Sequence, residues 1–472
     1  MLIGRKIEQQ RLIEAYESDY SEFVAVYGRR RVGKTFLVRE SFSYQFTFQH
    51  AGVANRGMCD QLDAFVDSLA DCGYKTKSRP KNWIEAFSLL KEHVRLSKAK
   101  KKVIFIDEIP WMDTPRSGFV SALEHFWNSW ASARKDILLI VCGSATSWII
   151  KKVFRNHGGL HNRVTVRIHL NPFTLNECEL YAKSRYLVLS RYQIALGYMI
   201  MGGIPFYWSQ LKRSLSLDQN IDRMFFDEDS ELYNEYRELF DSLFKHPEPY
   251  KKVVSALGMT RAGMTREDVL ATTGLDDNGK LSEILENLQS CGFIRKYQAF
   301  GRKNGAFFQL TDNYTLFYYQ FIEGKSGQDR NYWSITANTP LRNAWQGLAF
   351  EQLCFAHLPQ IKRALGITGV LTSAYSWRGK SEGATSGAQI DMLIDRADNI
   401  INLCEMKFSL REYVLTTKDI SSINNKIASF VEANKVKKAV HVTMVTTYGL
   451  EHNEHWGDIQ SEVTLEDLFE TE

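Results

Sequence analysis

Apolar and polar positions along the chain fall into three successive patterns, each predicting its own elements. The first is the short, unbroken apolar run of a strand buried on both faces: Phe23-Val-Ala-Val-Tyr27, Val103-Ile-Phe-Ile106 and Asp136-Ile-Leu-Leu-Ile-Val-Cys142. Helix-compatible FLVRESF (36–42) follows the first run after a glycine-rich turn. Strand then helix predicts an α/β sheet for this part of the chain. From Pro249 the period changes to three short amphipathic helices, YKKVVSALGM, TREDVLATTG and KLSEILENLQSCG. Behind them FIRKYQAFGRKNGAFFQLTD reads as a two-stranded hairpin turning at Arg302-Lys303-Asn304-Gly305. The third pattern opens with an amphipathic helix, Asn343 to Leu358, and strand-like runs near Val370 and Tyr375. A strand from Gln389 to Asp395, a turn from Arg396 to Asn399 and a strand from Ile400 to Lys407 follow. A helix-like stretch (Thr417 to Val431) and a strand (Ala439 to Thr446) end the series.

A chain of 472 residues is too long for one ordinary core and predicts about two to four domains. With 44% hydrophobic and 24% charged residues, the composition is that of globular domains and not of a disordered chain. A net charge of +4 is small for this length, so bulk charge neither requires nor excludes nucleic acid. The opening MLIGRKIEQQRLIEAY has no signal-like apolar stretch and no apolar run is long enough to span a bilayer, which predicts a cytoplasmic protein without membrane contact. Seven scattered cysteines without a CxxC pair argue against a disulfide framework and against a zinc site.

The turn after the first strand carries the chemistry. Gly28-Arg29-Arg30-Arg31-Val32-Gly33-Lys34-Thr35 is GxxxxGK[ST] between strand and helix, the pattern of a phosphate-binding loop. Its glycines let backbone N–H groups approach phosphate, Lys34 reaches the β- and γ-phosphates of ATP, and Thr35 offers its hydroxyl to Mg²⁺. The second strand ends in Asp107-Glu108, acids placed for a Walker B element. Asp107 would hold Mg²⁺ through water, and Glu108 would orient the attacking water. The third strand ends in Gly143-Ser144-Ala-Thr146, where Ser144 is the candidate γ-phosphate sensor, with helix capping as its alternative use. The lysines at 98, 100, 101 and 102 read as a solvated loop, with a phosphate-contact patch as the lesser alternative.

Five segments match in order a family of prokaryotic ATPases: GRRRVGKT (28–35), VIFIDEIPWM (103–112), VCGSATSWI (141–149), GGLHNRVTVRIHLNPFT (158–174) and GGIPFY (202–207). The chain thus resembles the archaeal-type, AAA+/STAND-like ATPases. The resemblance implies that Arg163 is a candidate phosphate sensor and that Gly202-Gly203-Ile-Pro205 belongs to a helical lid. It also implies a winged helix after the lid, which the helix, helix, helix, hairpin order supports. In a DNA-reading version the helix from Lys280 to Ser290 would enter the major groove, with Arg302 and Lys303 on phosphate. That helix carries Glu283 and Glu286 against Lys280 alone, so a structural or protein-contact role is favoured.

In the last third, side-chain alternation puts Glu405 and Lys407 on one face of their strand, beside the strand that carries Asp391. Two carboxylates and a lysine so placed can bind Mg²⁺ and activate water against a phosphodiester, the logic of the PD-(D/E)xK nucleases. Glu351 on the preceding helix is a further acid of the set. The same ATPases often end in a restriction-endonuclease-like domain, and FQLTDNYTLFYYQF (308–321) before it is typical of them.

The expected architecture is therefore an α/β P-loop core (1–170), a helical lid (171–245), a winged helix (246–325) and a restriction-endonuclease-like α/β domain (326–472). The expected function is ATP hydrolysis, with Mg²⁺, controlling a DNA-acting and metal-dependent nuclease domain. The alternative is a STAND-like signalling ATPase whose last domain binds a protein partner without cutting. Homo-oligomer formation stays open.

Overall fold

The computed structural model describes residues 2–471, apart from 77, 156–159, 161, 231, 245, 261–262, 299, 302–304, 325–328 and 380–387. The chain divides into two compact units: Met1–Pro172 with Leu243–Lys245, and Phe173–Ser242 with His246–Glu472. The segments expected as winged helix and nuclease-like domain lie in the second, as does the expected lid apart from 171–172 and 243–245. The wing candidates Arg302 and Lys303, and His161 of the loop before the fifth strand, fall outside the described residues.

The first unit is built on a five-stranded parallel sheet: β1 (Glu22–Tyr27), β2 (Phe48–Ala51), β3 (Lys102–Asp107), β4 (Ile137–Gly143) and β5 (Val166–His169). Their order is β2-β3-β4-β1-β5. All of β4 is buried, as a strand covered on both faces must be. Helices Met58–Asp71, Trp83–Leu96 and Phe119–Phe126 cover one face, and Phe65, Trp83, Phe87, Phe119 and Phe126 meet there in tilted and edge-on contacts. Each such ring contributes roughly 1.5–3 kcal/mol by leaving water. In register, Val26 pairs with Cys142 and Ile106 with Val141, so β4 separates the strand that leads into the glycine loop from the strand that ends in acids. All three strands run the same way, so their carboxyl ends open on one edge, where open α/β sheets bind ligands. Within the lysine run, Lys101 is buried, its ammonium donating to the carbonyls of Ser18 (2.7 Å), Tyr20 (2.5 Å) and Lys135 (3.3 Å). Lys102 pairs with Asp136 at 2.8 Å. These two lysines tie the base of the sheet together and are not a solvated loop.

In the second unit, helix Arg191–Met201 ends at Gly202, and helix Pro205–Ser209 begins three residues later with proline in its first turn. Gly203 makes this turn possible because its carbonyl accepts from Phe173 N–H at 2.6 Å, with no space for a side chain between them. A Cβ there would lie 1.9 Å from the Phe173 carbonyl oxygen. Gly203→Ala is expected to destabilise this unit by about 3 kcal/mol or more, read as a lowered urea midpoint. His357 is also central: its Nε2 accepts from Leu175 N–H (3.0 Å) while Nδ1 donates to the Leu353 carbonyl (2.9 Å). Burial holds its pKa down at about 4, below the ordinary 6.5. The folded value being the lower one, this stability is present above pH 6.5 and is lost as pH falls toward 4. His357→Gln should therefore lose about 2–3 kcal/mol less than wild type when urea unfolding at pH 7 is compared with pH 4.5.

Three helices, Glu248–Gly258, Arg266–Thr273 and Gly279–Ser290, pack with a small sheet of β6 (Met264–Thr265), β7 (Ile294–Gln298) and β8 (Ala306–Leu310), ordered β6-β8-β7. The hairpin strands are where the sequence places them, and the chain just after β7 is packed. Phe300 lies 5.0 Å from Phe430 and 5.4 Å from Tyr375, packed against the core of the next sheet. On β7 the Arg295 guanidinium sits 3.6 Å over the Phe355 ring. The hairpin thus packs on protein at Phe300 and at Arg295. That next sheet comprises β9 (Thr372–Arg378), β10 (Gln389–Arg396), β11 (Ile400–Lys407), β12 (Ala439–Thr446) and β13 (Ser461–Thr464), in sequential order. β9, β10 and β11 are antiparallel, while β12 and β13 run parallel to β11. Among the described residues no helix is long and apolar enough to cross a membrane.

Candidate functional site

The loop Gly28 to Thr35 leaves the carboxyl end of β1. Gly28 has φ 146°, and a Cβ there would meet the Leu170 carbonyl oxygen at 2.3 Å, so only glycine fits. Arg31 (φ 69°) and Gly33 (φ 90°) complete the left-handed turn that starts helix Lys34–Ser41. Arg29 and Val32 are buried, while Arg30 and Arg31 are half-buried. Lys34 is 5% exposed, and its ammonium donates to the loop's own carbonyls, Gly28 at 3.0 Å and Arg29 at 2.8 Å. Those two contacts hold the loop's ring closed around a positive charge.

The acids at the tip of β3 are tied to the neighbouring strands. Asp107, 5% exposed, accepts from the Thr35 hydroxyl on Oδ2 at 2.6 Å and from Glu108 N–H on Oδ1 at 2.9 Å. Glu108 stands in the left-handed region (φ 45°), a strain of roughly 1–3 kcal/mol for a residue with a side chain. Its Oε2 accepts from both the N–H (3.1 Å) and the hydroxyl (2.9 Å) of Ser144. Ser144 is therefore not a helix cap here but the partner of the second acid. Burial and the Asp107 charge hold the Cys142 thiol well above its usual range, so it stays protonated beside the acids.

Two glycines that sequence reasoning did not single out make room for this arrangement. A Cβ on Gly52 would meet the Glu108 carbonyl oxygen at 2.6 Å, and Gly52 N–H donates to the Asp107 carbonyl at 3.0 Å. A Cβ on Gly143 would meet Pro110 at 2.9 Å and Ile149 at 3.1 Å. Gly143 could have been found as the residue before Ser144 in the motif; Gly52 has no local signal.

Arg163 does not join this group. Thr165 N–H donates to the Phe23 carbonyl at 2.9 Å, which places the turn before β5 at the amino end of β1. The glycine loop leaves the other end, four residues or about 13 Å further along the strand. Arg163 is exposed at the wrong edge of the sheet to touch phosphates held by its own chain.

The second set lies on β10 and β11. The pairing register ends at Met392 opposite Cys404, with Asp391 and Glu405 the next residue on each strand. β10 is bulged against β9 at this point. Asp391 Oδ1 accepts from Gln389 Nε2 at 2.7 Å. Glu405, 7% exposed, is ion-paired with Lys426 from helix Thr417–Asn434. The Lys407 ammonium lies 5.7 Å over the Tyr413 ring, a cation–π contact. Asp391, Glu405 and Lys407 share one end of the sheet, but the buried acid already has its counter-ion. Lys426 was not foreseen, because twenty-one residues and a helix separate it from Glu405. Among the described residues no group of three His, Cys, Asp or Glu side chains is placed to hold a metal.

Residues 2–211 match the family model described as an ATPase domain predominantly from Archaea. An uncharacterised protein of Methanocaldococcus jannaschii is 24% identical over 371 residues, covering 77% of this chain and 78% of its own. Among solved structures, a Walker-type ATPase of Pyrococcus abyssi aligns with TM-score 0.47 and 14% identity, over 68% of this chain and 96% of its own. The ORC2 protein of Aeropyrum pernix, solved in ADPNP–ADP complexes, aligns with TM-score 0.43 and 12% identity, over 67% and 93%. Together with the glycine loop after β1 and the paired acids after β3, the family match shows that residues 2–211 carry an ATPase domain.

Proposed function

We propose that this protein is an ATP-hydrolysing switch whose nucleotide cycle controls a DNA-acting C-terminal domain. One observation carries the reading: Lys34, Thr35, Asp107, Glu108 and Ser144 converge on one sheet edge, linked to the glycine loop or to each other by hydrogen bonds of 2.6 to 3.1 Å. Each bond can be exchanged for a ligand of matching chemistry. The Lys34 ammonium trades the Gly28 and Arg29 carbonyls for β- and γ-phosphate oxygens, while the amides opening helix Lys34–Ser41 face the same charge. The Thr35 hydroxyl and the Asp107 carboxylate are hard oxygen donors in contact, which suits Mg²⁺. The ion supplies neutralisation of phosphate charge. The Glu108 carboxylate, released by Ser144, accepts a hydrogen bond from the attacking water. The Ser144 hydroxyl, released in turn, would report on the γ-phosphate. Occupancy therefore rearranges the tips of β1, β3 and β4 together, which is what a switch requires.

For the C-terminal domain, the mixed sheet β9–β13, preceded by helix Pro340–Ala356 and with helix Thr417–Asn434 between β11 and β12, supports the reading of a restriction-endonuclease-like fold. Asp391, Glu405 and Lys407 are its candidate catalytic residues. A second reading, a non-cutting module that binds a protein partner, is favoured by one contact. The Lys426–Glu405 pair already gives the buried acid its counter-ion, so the residues as they stand do not fit a metal centre. The deciding experiment is DNA cleavage with Mg²⁺ or Mn²⁺, crossed with ATP, a non-hydrolysable analogue and the Lys34→Ala and Asp391→Ala variants. Cutting that responds to nucleotide and disappears in Asp391→Ala supports the nuclease. No cutting of single- or double-stranded DNA or RNA removes it, and a partner captured equally well by Asp391→Ala then supports the second reading.

A further inference from the structure

A half-open cavity of about 1050 Å³ lies in the surface of the second unit, and Asp391, Glu405 and Lys407 are not part of its lining. Helices Arg191–Met201, Leu217–Ile221 and Pro340–Ala356 and the chain just after β11 form its walls. Its size is at the upper end of the roughly 300–1,000 Å³ of small-molecule sites.

One wall is aromatic. Tyr192 stacks on Phe408 at 4.8 Å with 16° between the rings, and Tyr192 also lies within 10° of parallel to Tyr448. Buried Phe350 backs Phe408 at 5.2 Å. A second wall holds a fixed charge pair. Arg342, 4% exposed, donates to the Trp333 carbonyl and to Asp218 Oδ1, both at 2.7 Å, with its guanidinium 3.8 Å over the Trp333 ring. Trp333 Nε1 donates to the same Asp218 oxygen at 2.8 Å. Asp218 is thereby neutralised, and the wall is rigid. Asn343 and Gln346, three residues apart on one helix face, bring amide donors and acceptors to the lining. At the rim, exposed Arg411 stands next to Glu412. The lining continues directly from the candidate catalytic strand: Phe408 follows Lys407, and Tyr413 is the ring under the Lys407 ammonium.

We infer that this cavity receives an unpaired nucleobase of single-stranded DNA, with the strand's backbone passing Arg411 and Lys407. A planar ring with hydrogen-bonding edges is the ligand that uses both walls, by stacking against the aromatic side and pairing with the Asn343 and Gln346 amides. An aliphatic ligand would desolvate those amides without giving them partners, at a cost. A duplex keeps its base faces covered, so only an unpaired or extruded base can enter. Stacking on protein rings contributes roughly 5- to 150-fold in affinity per base, enough to read in one substitution. The inference rests on the reading that the C-terminal domain acts on DNA, and not on whether it cuts.

The test is fluorescence anisotropy of the full-length protein with a labelled mixed-sequence single strand and with its duplex, plus quenching of a strand that carries 2-aminopurine. Tyr192→Leu removes the stacking ring, while Asn343→Trp fills the cavity from an exposed helix position that leaves the core intact; thermal melting checks both folds. The expected result is preference for the single strand, quenching of 2-aminopurine, and at least a tenfold loss of affinity in each variant. Absence of single-strand binding, or affinity unchanged in both folded variants, overturns the proposal. Cleavage is scored in the same samples with Mg²⁺, so binding that responds to the variants without cutting contradicts the nuclease reading alone.

Discussion

Lys34→Ala is expected to lower kcat/KM for ATP by about 10²–10³-fold, the range found when one preorganised charge stabiliser is removed from a reacting group. The loss should appear in nucleotide affinity as well as in turnover, because the ammonium meets phosphate in the bound state too. The same ammonium donates to the Gly28 and Arg29 carbonyls. Alanine leaves both without that donor, at about 1 kcal/mol each, so a small drop in melting temperature should accompany the kinetic loss. Nucleotide binding by equilibrium dialysis and phosphate release under matched conditions separate the two effects. Wild-type affinity in Lys34→Ala would take the lysine out of the phosphate site.

Glu108→Gln should leave binding intact and lower turnover as Lys34→Ala does. A glutamine carbonyl oxygen can still accept from the N–H and hydroxyl of Ser144, so the edge of β4 keeps its anchor. What disappears is the charge that polarises water, worth about 10²–10⁴-fold in kcat. The variant is expected to bind ATP as wild type does and to hold it unhydrolysed. It is therefore also the tool for locking the switch: whatever ATP does to the C-terminal domain should persist in Glu108→Gln and be absent in Lys34→Ala.

The strands that position this site were legible because β1, β3 and β4 are unbroken apolar runs ending in glycine, acid and serine. β2 was not, because only Phe48 and His50 of its four residues are buried and no apolar run marks it. With β2 unseen, Gly52 at its end had no reason to attract notice, although a side chain there would strike the backbone of Glu108. Arg163 was misjudged for a related reason. Nearness in sequence to β5 does not say which edge of the sheet the preceding turn occupies; only the pairing of Thr165 with Phe23 does. In the C-terminal third, alternation correctly put Glu405 and Lys407 on one face, but the counter-ion Lys426 comes from a helix whose packing no local pattern encodes. The β7–β8 hairpin shows the same limit: its two strands follow from the sequence, while the packing of Phe300 against Phe430 joins residues 130 apart.

The central claim is that a single edge of the β2-β3-β4-β1-β5 sheet binds and hydrolyses ATP through Lys34 and Glu108. Its most direct test is a side-by-side measurement of ATP binding and Mg²⁺-dependent phosphate release for wild type, Lys34→Ala and Glu108→Gln. The account predicts binding and turnover in the first, neither at wild-type level in the second, and binding without turnover in the third. Phosphate release by Glu108→Gln at the wild-type rate would contradict it.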